Sequence, residues 1–252
     1  MNIQNRRPQA TISVFGISFF HRQNPGMVAW WSIMFPGFGH YMLNQYIRGA
    51  LFTLSEVIID TLTHVNEGII YSLCGQFEKA KAVTQTRWLF GYLAIFFFTF
   101  WDSIRSTVVQ NKMCQLAEFE DEPLKSNIIY PCEIQYLEIK SPYTAAVYSF
   151  FFPGLGQVYN HRFGLGFYAM IWWWIYVTLS HAYESAFYFF VGNIQHSISV
   201  LNPHWFLFMP SVIGGSTYHA FITAIEHNRL YKVEQRQHFI NRYQNSKVCI
   251  FD

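Results

Sequence analysis

A short pattern that occurs twice constrains this chain more than any other feature of its sequence. FPGFG at positions 35–39 returns 117 residues later as FPGLG at positions 152–156. The same offset aligns residues 24–112 with residues 141–229 without a gap. Self-similarity at a fixed offset indicates a duplicated structural unit. The fold is therefore expected to consist of two similar halves.

Each copy of the pattern predicts a turn after a short helix. Proline lacks a backbone N–H and fixes φ, which ends a helix, and glycine accepts positive φ. The apolar run before the first turn, residues 27–35, is too short to cross about 30 Å of hydrocarbon at about 1.5 Å per residue. We expect a half-helix there, and leave open whether it is re-entrant, interfacial or spanning. The structural turn residues are Pro36, Gly37, Gly39, Pro153, Gly154 and Gly156.

The composition favours an integral membrane protein. Apolar residues make up 52% of the chain and charged residues only 13%, against about 25% charged in a typical soluble domain. The net charge of +2 and the absence of a basic, aromatic patch argue against nucleic-acid binding. The four cysteines form no CxxC pair, so no zinc site, disulfide framework or other cofactor is predicted. The expected partner is the lipid bilayer, with a membrane-protein partner or a second copy of the chain as further possibilities.

The predicted fold class is all-α integral membrane, with two tandem parallel repeats. Each repeat is expected to contain the half-helix and turn, two spanning helices and an interfacial amphipathic helix. The predicted spanning helices cover residues 49–65, 88–108, 166–182 and 205–225, and the interfacial helices cover residues 66–85 and 183–202.

Five segments follow from this organisation. They are a cytoplasmic N-terminal segment (1–23), membrane repeat 1 (24–112), an acidic cytoplasmic linker with one short strand or hairpin arm (113–140), membrane repeat 2 (141–229) and a basic amphipathic C-terminal tail (230–252). With both termini in the cytoplasm, 14 lysines and arginines lie inside and 3 outside. If the first element of each repeat also spans, the count is 12 to 5 and the repeats are inverted. The positive-inside rule therefore favours a multi-pass protein of the inner (cytoplasmic) membrane with both termini cytoplasmic.

Four charged residues of the first repeat form a candidate intramembrane polar cluster. Charges within spanning helices are costly and need polar partners. Glu56 and Arg105 are replaced by Trp173 and Ile222 in the second repeat, so their joint loss predicts a Glu56–Arg105 contact. Asp60 and Asp102 are left without an assigned partner, and a hydrogen bond from His64, on the same helix face as Asp60, is one alternative. The members of the cluster are Glu56, Asp60, Asp102 and Arg105.

Both repeats keep a His-x-x-Glu motif, at His64 and Glu67 and at His181 and Glu184. The i, i+3 spacing places both side chains on one helix face. Two such motifs that meet would form a candidate metal site. The alternative is that the pairs close helix ends at the level of the lipid headgroups.

The Pro-Gly-x-Gly turns, a following aromatic residue and glycine, and the Trp101-Asp102 pair resemble the helical hairpin of TM2-domain proteins. Over residues 24–240 the chain resembles a family of duplicated bacterial multi-pass membrane proteins of unknown function. In that family the third element tends to end in Asp-x-x-Arg, matched by Asp102 and Arg105 but not by His219 and Ile222. The resemblance implies the fold and gives no activity.

The sequence favours a non-catalytic role as a scaffold, an assembly factor or a subunit of a membrane complex. No G-x-S-x-G, H-E-x-x-H, Walker or GxGxxG motif is present. A small transporter or channel component that uses the charges of the first repeat is the alternative. A third possibility is an intramembrane metal-dependent enzyme.

Overall fold

The computed structural model describes residues 8–13, 15–120, 124, 127–129, 131 and 133–243. Within these ranges the protein is mostly helical, as predicted, with thirteen helices and two short antiparallel hairpins. Arg6 and Arg7 of the N-terminal segment, Asp121 and Glu122 of the linker, and residues 244–252 of the tail lie outside the described residues.

The elements of the first half follow the predicted order with different bounds. They are β1 (Ala10–Ser13), β2 (Gly16–Phe19), α1 (Pro25–Met34), α2 (Phe38–Met42), α3 (Tyr46–Thr63), α4 (Val65–Leu73), α5 (Phe77–Val83) and α6 (Thr86–Glu120). The rest of the chain forms β3 (Asn127–Ile129), β4 (Ile134–Tyr136), α7 (Pro142–Phe151), α8 (Leu155–Tyr159), α9 (Phe163–Leu179), α10 (Ala182–Phe190), α11 (Ile194–Val200), α12 (Pro203–Phe206) and α13 (Phe208–Tyr243).

Two compact units are formed by interleaved parts of the chain. Unit 1 contains Met1–Arg22, Val109–Phe167 and Ser216–Asp252, and unit 2 contains Gln23–Val108 and Tyr168–Gly215. Each unit therefore draws on both halves of the sequence. The five segments expected from the sequence follow the repeat instead, and they stay a prediction.

The core of unit 2 is aromatic. Phe35, Val57 and Tyr176 pack with three residues near the start of α13. The ring of Tyr176 is fully buried and stacks on Phe208, with the ring centroids 5.0 Å apart. Stacked aromatic side chains bury a large apolar area and fix the orientation of the helices that carry them. This core holds the turn after α1 against α3, α9 and α13.

The first FPGFG turn is tighter than the sequence suggests. Pro36 and Gly37 form the turn itself, while Gly39 already lies in α2. Gly37 has φ +95°, and a Cβ atom there would lie 2.5 Å from the carbonyl oxygen of Gly49. Only glycine combines this conformation with so close an approach of α3. Gly154 repeats the positive φ, and Gly156 lies in α8.

Unit 1 contains an N-terminal hairpin that the sequence reasoning missed. Strands β1 and β2 pair antiparallel, with Ile12 opposite Ile17. Ile17 and Phe19 are buried and pack with Leu137 and Leu230. Alternation of apolar and polar residues over only four positions is too short a signal to separate a strand from a helix. The second hairpin, β3 with β4, lies in the segment where a hairpin arm was predicted.

Several helix bounds differ from the prediction. Both predicted interfacial helices are broken into two, α4 with α5 and α10 with α11, because Gly75 and Gly192 adopt positive φ. The predicted spanning helix at residues 88–108 is part of α6, which continues to Glu120. The first part of the predicted linker, residues 113–120, is therefore helical. In the second half, a break at Leu207 separates α12 from α13 inside the predicted span of residues 205–225, and α13 then continues into the predicted tail as far as Tyr243.

The two faces of α6 have the reverse of the usual polarity. Its exposed side includes Phe90, Phe97, Phe98 and Trp101, which are 82%, 60%, 53% and 56% exposed. Between positions 99 and 110 its buried residues recur at helical spacing and are all polar, namely Thr99, Asp102, Ser103, Ser106, Thr107 and Gln110. Further along the helix, Cys114 and Ala117 are also buried. A helix at the surface of a water-soluble protein has the opposite arrangement, with apolar residues toward the core.

Among the described helices, none has by itself both the length and the apolar composition needed to cross a membrane. Helices α9 and α10 meet that requirement as a pair, with a bend of 62° between them.

Candidate functional site

Asp102 is the centre of a cluster of cationic and polar side chains in unit 2. Its Oδ2 accepts hydrogen bonds from His40 Nε2 at 3.1 Å and from Arg48 Nη1 at 3.2 Å. Its Oδ1 accepts one from Arg105 Nη2 at 3.0 Å. The carboxylate is 5% exposed and the His40 side chain is fully buried, whereas both arginines are about half exposed at 47% and 58%. One buried carboxylate thus holds two guanidinium groups near the surface.

Three elements bring these groups together. The tight turn at Pro36 and Gly37 starts α2, which carries His40. Arg48 lies in the first turn of α3, and Asp102 and Arg105 are one helical turn apart on α6. Arg48 Nη1 also donates to Ser106 Oγ at 3.2 Å. The cluster therefore ties α2, α3 and α6 to one another.

The predicted Glu56–Arg105 contact is wrong. Within the described residues Arg105 forms an ion pair with Asp102, and none within 4.0 Å joins it to Glu56. The side chain of Arg105 points outward, while Glu56 is 6% exposed. The i, i+3 spacing on α6 puts Arg105 beside Asp102 without any movement of neighbouring helices.

Glu56 and Asp60 lie deeper in unit 2, away from the arginines. Asp60 is fully buried, and its Oδ1 accepts a hydrogen bond from the backbone N–H of Asn66 at 3.2 Å. Its Oδ2 lies 3.9 Å from His204 Nδ1. The carboxylate of Asp60 thus bonds the start of α4, and the alternative considered from the sequence, a bond from the His64 side chain, does not form. Glu56 Oε2 and Asp60 Oδ2 are buried without a hydrogen-bond partner.

The two His-x-x-Glu motifs lie where α3 and α9 end. His64 and His181 each have φ +54° and separate these helices from α4 and α10. His64 Nδ1 lies 3.3 Å from Glu67 Oε2, and His181 Nδ1 lies 3.6 Å from Glu184 Oε1. No group of three or more His, Cys, Asp or Glu in the described part of the chain could hold a metal ion. The two motifs therefore do not combine into the metal site considered from the sequence.

The sequence reasoning missed a cavity of about 190 Å³ in unit 1. Its lining combines apolar residues with His21, Glu118 and Arg229. Glu118 Oε2 forms an ion pair with Arg22 at 2.5 Å, and Glu118 Oε1 lies 3.6 Å from Arg229. Residues from three distant segments form this cavity, and no sequence motif joins them.

Buried histidines are a second feature of unit 1 that no motif indicated. Burial, together with the charge of Arg162, lowers the pKa of His21 to about 4. Burial, together with the charges of Lys140 and His161, lowers the pKa of His227 to about 4. His227 is fully buried, and neither of its ring nitrogens has a hydrogen-bond partner. These imidazoles are neutral at neutral pH, as their burial beside cations requires.

No family model, curated protein or solved structure matches this chain. The resemblance to TM2-domain hairpins and to duplicated bacterial membrane proteins stays a prediction.

Proposed function

We propose that this protein is embedded in a lipid bilayer and acts without catalysis, as a scaffold, an assembly factor or a subunit of a membrane complex. The observation that carries the proposal is the reversed polarity of α6. Its exposed face is aromatic and its buried face is polar. In hydrocarbon the apolar face is the correct outer surface, and polar side chains join helices on the inside.

The free energy involved is large compared with the stability of a domain. Removing one large apolar side chain from water contributes about 1.5–3 kcal/mol. Phe90, Phe97, Phe98 and Trp101 are all at least half exposed, so lipid contact at these four positions would contribute on the order of several kcal/mol. Folded proteins are stable by only about 5–15 kcal/mol. A chain with this face in water would lack a free-energy contribution that is substantial compared with the total stability of a folded protein.

The position of this apolar face on α6 also suits a bilayer. It lies between Arg87 and Arg105, which are 18 residues apart. At about 1.5 Å per residue these arginines are separated by about 27 Å, close to the thickness of the hydrocarbon layer. Both flanking cations contact tryptophans, Arg87 with Trp88 at 5.6 Å and Arg105 with Trp101 at 5.4 Å. Tryptophan and arginine are common where a helix meets the headgroups.

We further propose that the chain is two tandem parallel repeats. Helices α7, α8, α10 and α11 each begin and end 117 residues after α1, α2, α4 and α5. The positive φ values at Asn44, His64, Gly37 and Gly75 recur at the same offset. So do six buried positions of α6, which correspond to Ser216, His219, Ala220, Thr223, Ala224 and His227 of α13.

A non-catalytic role agrees with the way the candidate polar residues are used. Asp102 accepts from His40, Arg48 and Arg105, and Asp60 bonds the backbone of Asn66. Such contacts join helices to one another. The count of lysine and arginine supports a location in the cytoplasmic membrane with both termini in the cytoplasm.

Two matched substitutions on α6 test the proposal. Phe90 and Phe119 are exposed to similar extents, 82% and 79%, but only Phe90 lies in the proposed lipid-facing segment. Phe90→Lys should remove the protein from the membrane fraction or cause its degradation, because a cation in the hydrocarbon is costly. Phe119→Lys should leave membrane recovery unchanged. Equal recovery of both variants and of the unmodified protein would refute the proposal.

A small transporter or channel component is the second candidate. Its support is the pair of buried carboxylate oxygens without hydrogen-bond partners, Glu56 Oε2 and Asp60 Oδ2. Intramembrane acids of this kind are common in proton and ion pathways. Cysteines introduced beside Asp60 would react with a water-soluble thiol reagent if a hydrated path exists. A dry interior would leave them unlabelled and would favour the scaffold.

A further inference from the structure

The cluster around Asp102 has more cationic groups than its carboxylate neutralises. Arg48 and Arg105 share one carboxylate, so these three groups carry a net charge of +1. Glu56 and Asp60 are not among the partners of either arginine. An anion is therefore the complementary ligand at this surface.

Both guanidinium groups keep hydrogen-bond donors available. The protein contacts of Arg48, to Gln45, Asp102 and Ser106, all use Nη1. Arg105 contacts Asp102 through Nη2. Among the described residues, two nitrogens of each guanidinium group therefore have no hydrogen-bond partner. Planar guanidinium groups with free N–H pairs are the usual donors to phosphate, and often bind it in a bidentate manner.

The buried carboxylate also holds these donors in place before any ligand binds. Asp102 is 5% exposed and is fixed from behind by the fully buried His40. Arg105 lies over the ring of Trp101 at 5.4 Å. Side chains that are already ordered lose less conformational entropy when they bind a ligand.

Exposed apolar side chains lie next to the arginines in sequence. Ile47 and Leu51, on either side of Arg48 on α3, are 81% and 60% exposed. A headgroup phosphate is attached to acyl chains, which can contact these apolar side chains. Free phosphate has no apolar part that could contact them. At the corresponding positions of the second half the cluster is absent, since Arg48, Asp102 and Arg105 become Leu165, His219 and Ile222.

We infer that Arg48 and Arg105, held by Asp102, bind the phosphate of an anionic phospholipid headgroup at one membrane surface. This inference rests on the proposed placement of the protein in a bilayer. It adds a lipid class and a specific site to that placement.

The test measures which lipids remain with the purified protein. The full chain is reconstituted in vesicles of phosphatidylcholine with a minority of phosphatidylglycerol, re-extracted in detergent, and its bound lipids are quantified by mass spectrometry. The unmodified protein should be enriched in phosphatidylglycerol at least threefold over the vesicle. The double variant Arg48→Gln, Arg105→Gln should lose that enrichment.

A matched control removes two cations elsewhere in unit 2. Lys79→Gln with Lys81→Gln, both on α5, lowers the net charge equally and should keep the enrichment. Lysine replacements at positions 48 and 105, which keep the charge but lose the planar fork, should give an intermediate value if the folded fraction is unchanged. Loss of enrichment in both glutamine variants would show diffuse charge attraction and overturn the site.

The remaining outcomes separate the two proposals and the two sources of phosphate. If the unmodified chain is not recovered with vesicles, both the placement in the bilayer and the headgroup site fail. If all variants stay in the membrane with equal phosphatidylglycerol content, only the headgroup site is overturned. Displacement of the lipid by millimolar inorganic phosphate would assign the arginines to a free anion and would also overturn the lipid.

Discussion

Individual residues of the duplicated turn illustrate how sequence pattern and packing combine. Proline and glycine at positions 36 and 37 predict a turn, and the structure has one there. The sequence does not reveal that the Gly37 backbone approaches α3 closely enough to exclude a Cβ atom. Such contacts depend on the packing of two helices and not on the local pattern.

Comparison of Gly37→Ala with Gly75→Ala separates the free-energy cost of backbone strain from the cost of overpacking. Both glycines have positive φ, and both substitutions should cost about 1–2 kcal/mol from backbone strain. At Gly75 nothing lies within 4 Å of the added Cβ atom, whereas at Gly37 the carbonyl oxygen of Gly49 lies 2.5 Å away. Gly37→Ala should therefore cost a further 1–3 kcal/mol or so from overpacking. Thermal unfolding in detergent measures both, and equal losses would contradict the close approach of α3.

Protonation of His227 should make stability depend on pH. Its pKa is lowered from 6.5 to about 4, mainly by burial. Between these values the unfolded chain binds more protons than the folded chain, so the free energy of unfolding is highest above pH 6.5 and falls as the pH drops toward 4. His227→Gln, which introduces the residue found at the corresponding Gln110, should reduce this slope by up to about 1.4 kcal/mol per pH unit. A slope unchanged by the substitution would contradict the assignment.

The charged residues of the first half show that comparison of the two aligned halves does not reveal which charges pair. Several charged residues have no charged counterpart at the 117-residue offset, among them Arg48, Glu56, Asp60, Asp102 and Arg105. Their joint loss indicated a set of charges that belong together, but it could not determine the pairs. Arg105 forms its ion pair with Asp102, three residues earlier on α6. Arg48, which the sequence reasoning did not select, completes the cluster.

At the scale of the element, α6 has an exposed aromatic side and a buried polar side. Its apolar and polar residues are visible in the sequence, and the existence of a long helix is predictable from them. The sequence does not predict which face points outward, because the 3.6-residue period is the same whether the apolar side faces a core or lipid. Burial of Thr99, Ser103 and Thr107 decides the question.

Substitutions on the two faces of α6 should have unequal effects. Ser103 is fully buried and Val108 is 43% exposed. Ser103→Leu forces a larger side chain into a packed contact and should cost about 1–3 kcal/mol. Val108→Leu on the outer face should cost less than about 0.5 kcal/mol. Unfolding in detergent followed by circular dichroism distinguishes them. Equal stability of the two variants would mean that the polar face is not the packed face.

At the scale of the whole molecule, the two units do not follow the order of the chain. Each contains parts of both halves, so a boundary read from the repeat cannot predict which residues pack together. Composition does bear on the molecule as a whole. With 13% charged residues and 20% aromatic residues, the chain has fewer charges than a water-exposed surface of this size usually carries.

In the proposed placement, the exposed tryptophans contact lipid. Trp30, Trp88, Trp101 and Trp174 are 53%, 43%, 56% and 59% exposed, so tryptophan fluorescence reports on what covers this surface. In vesicles whose acyl chains carry bromine, which quenches tryptophan on contact, we predict that most of the emission is lost and that iodide in the water has little effect. Strong quenching by iodide with little quenching by the brominated chains would contradict the placement of this protein in a bilayer.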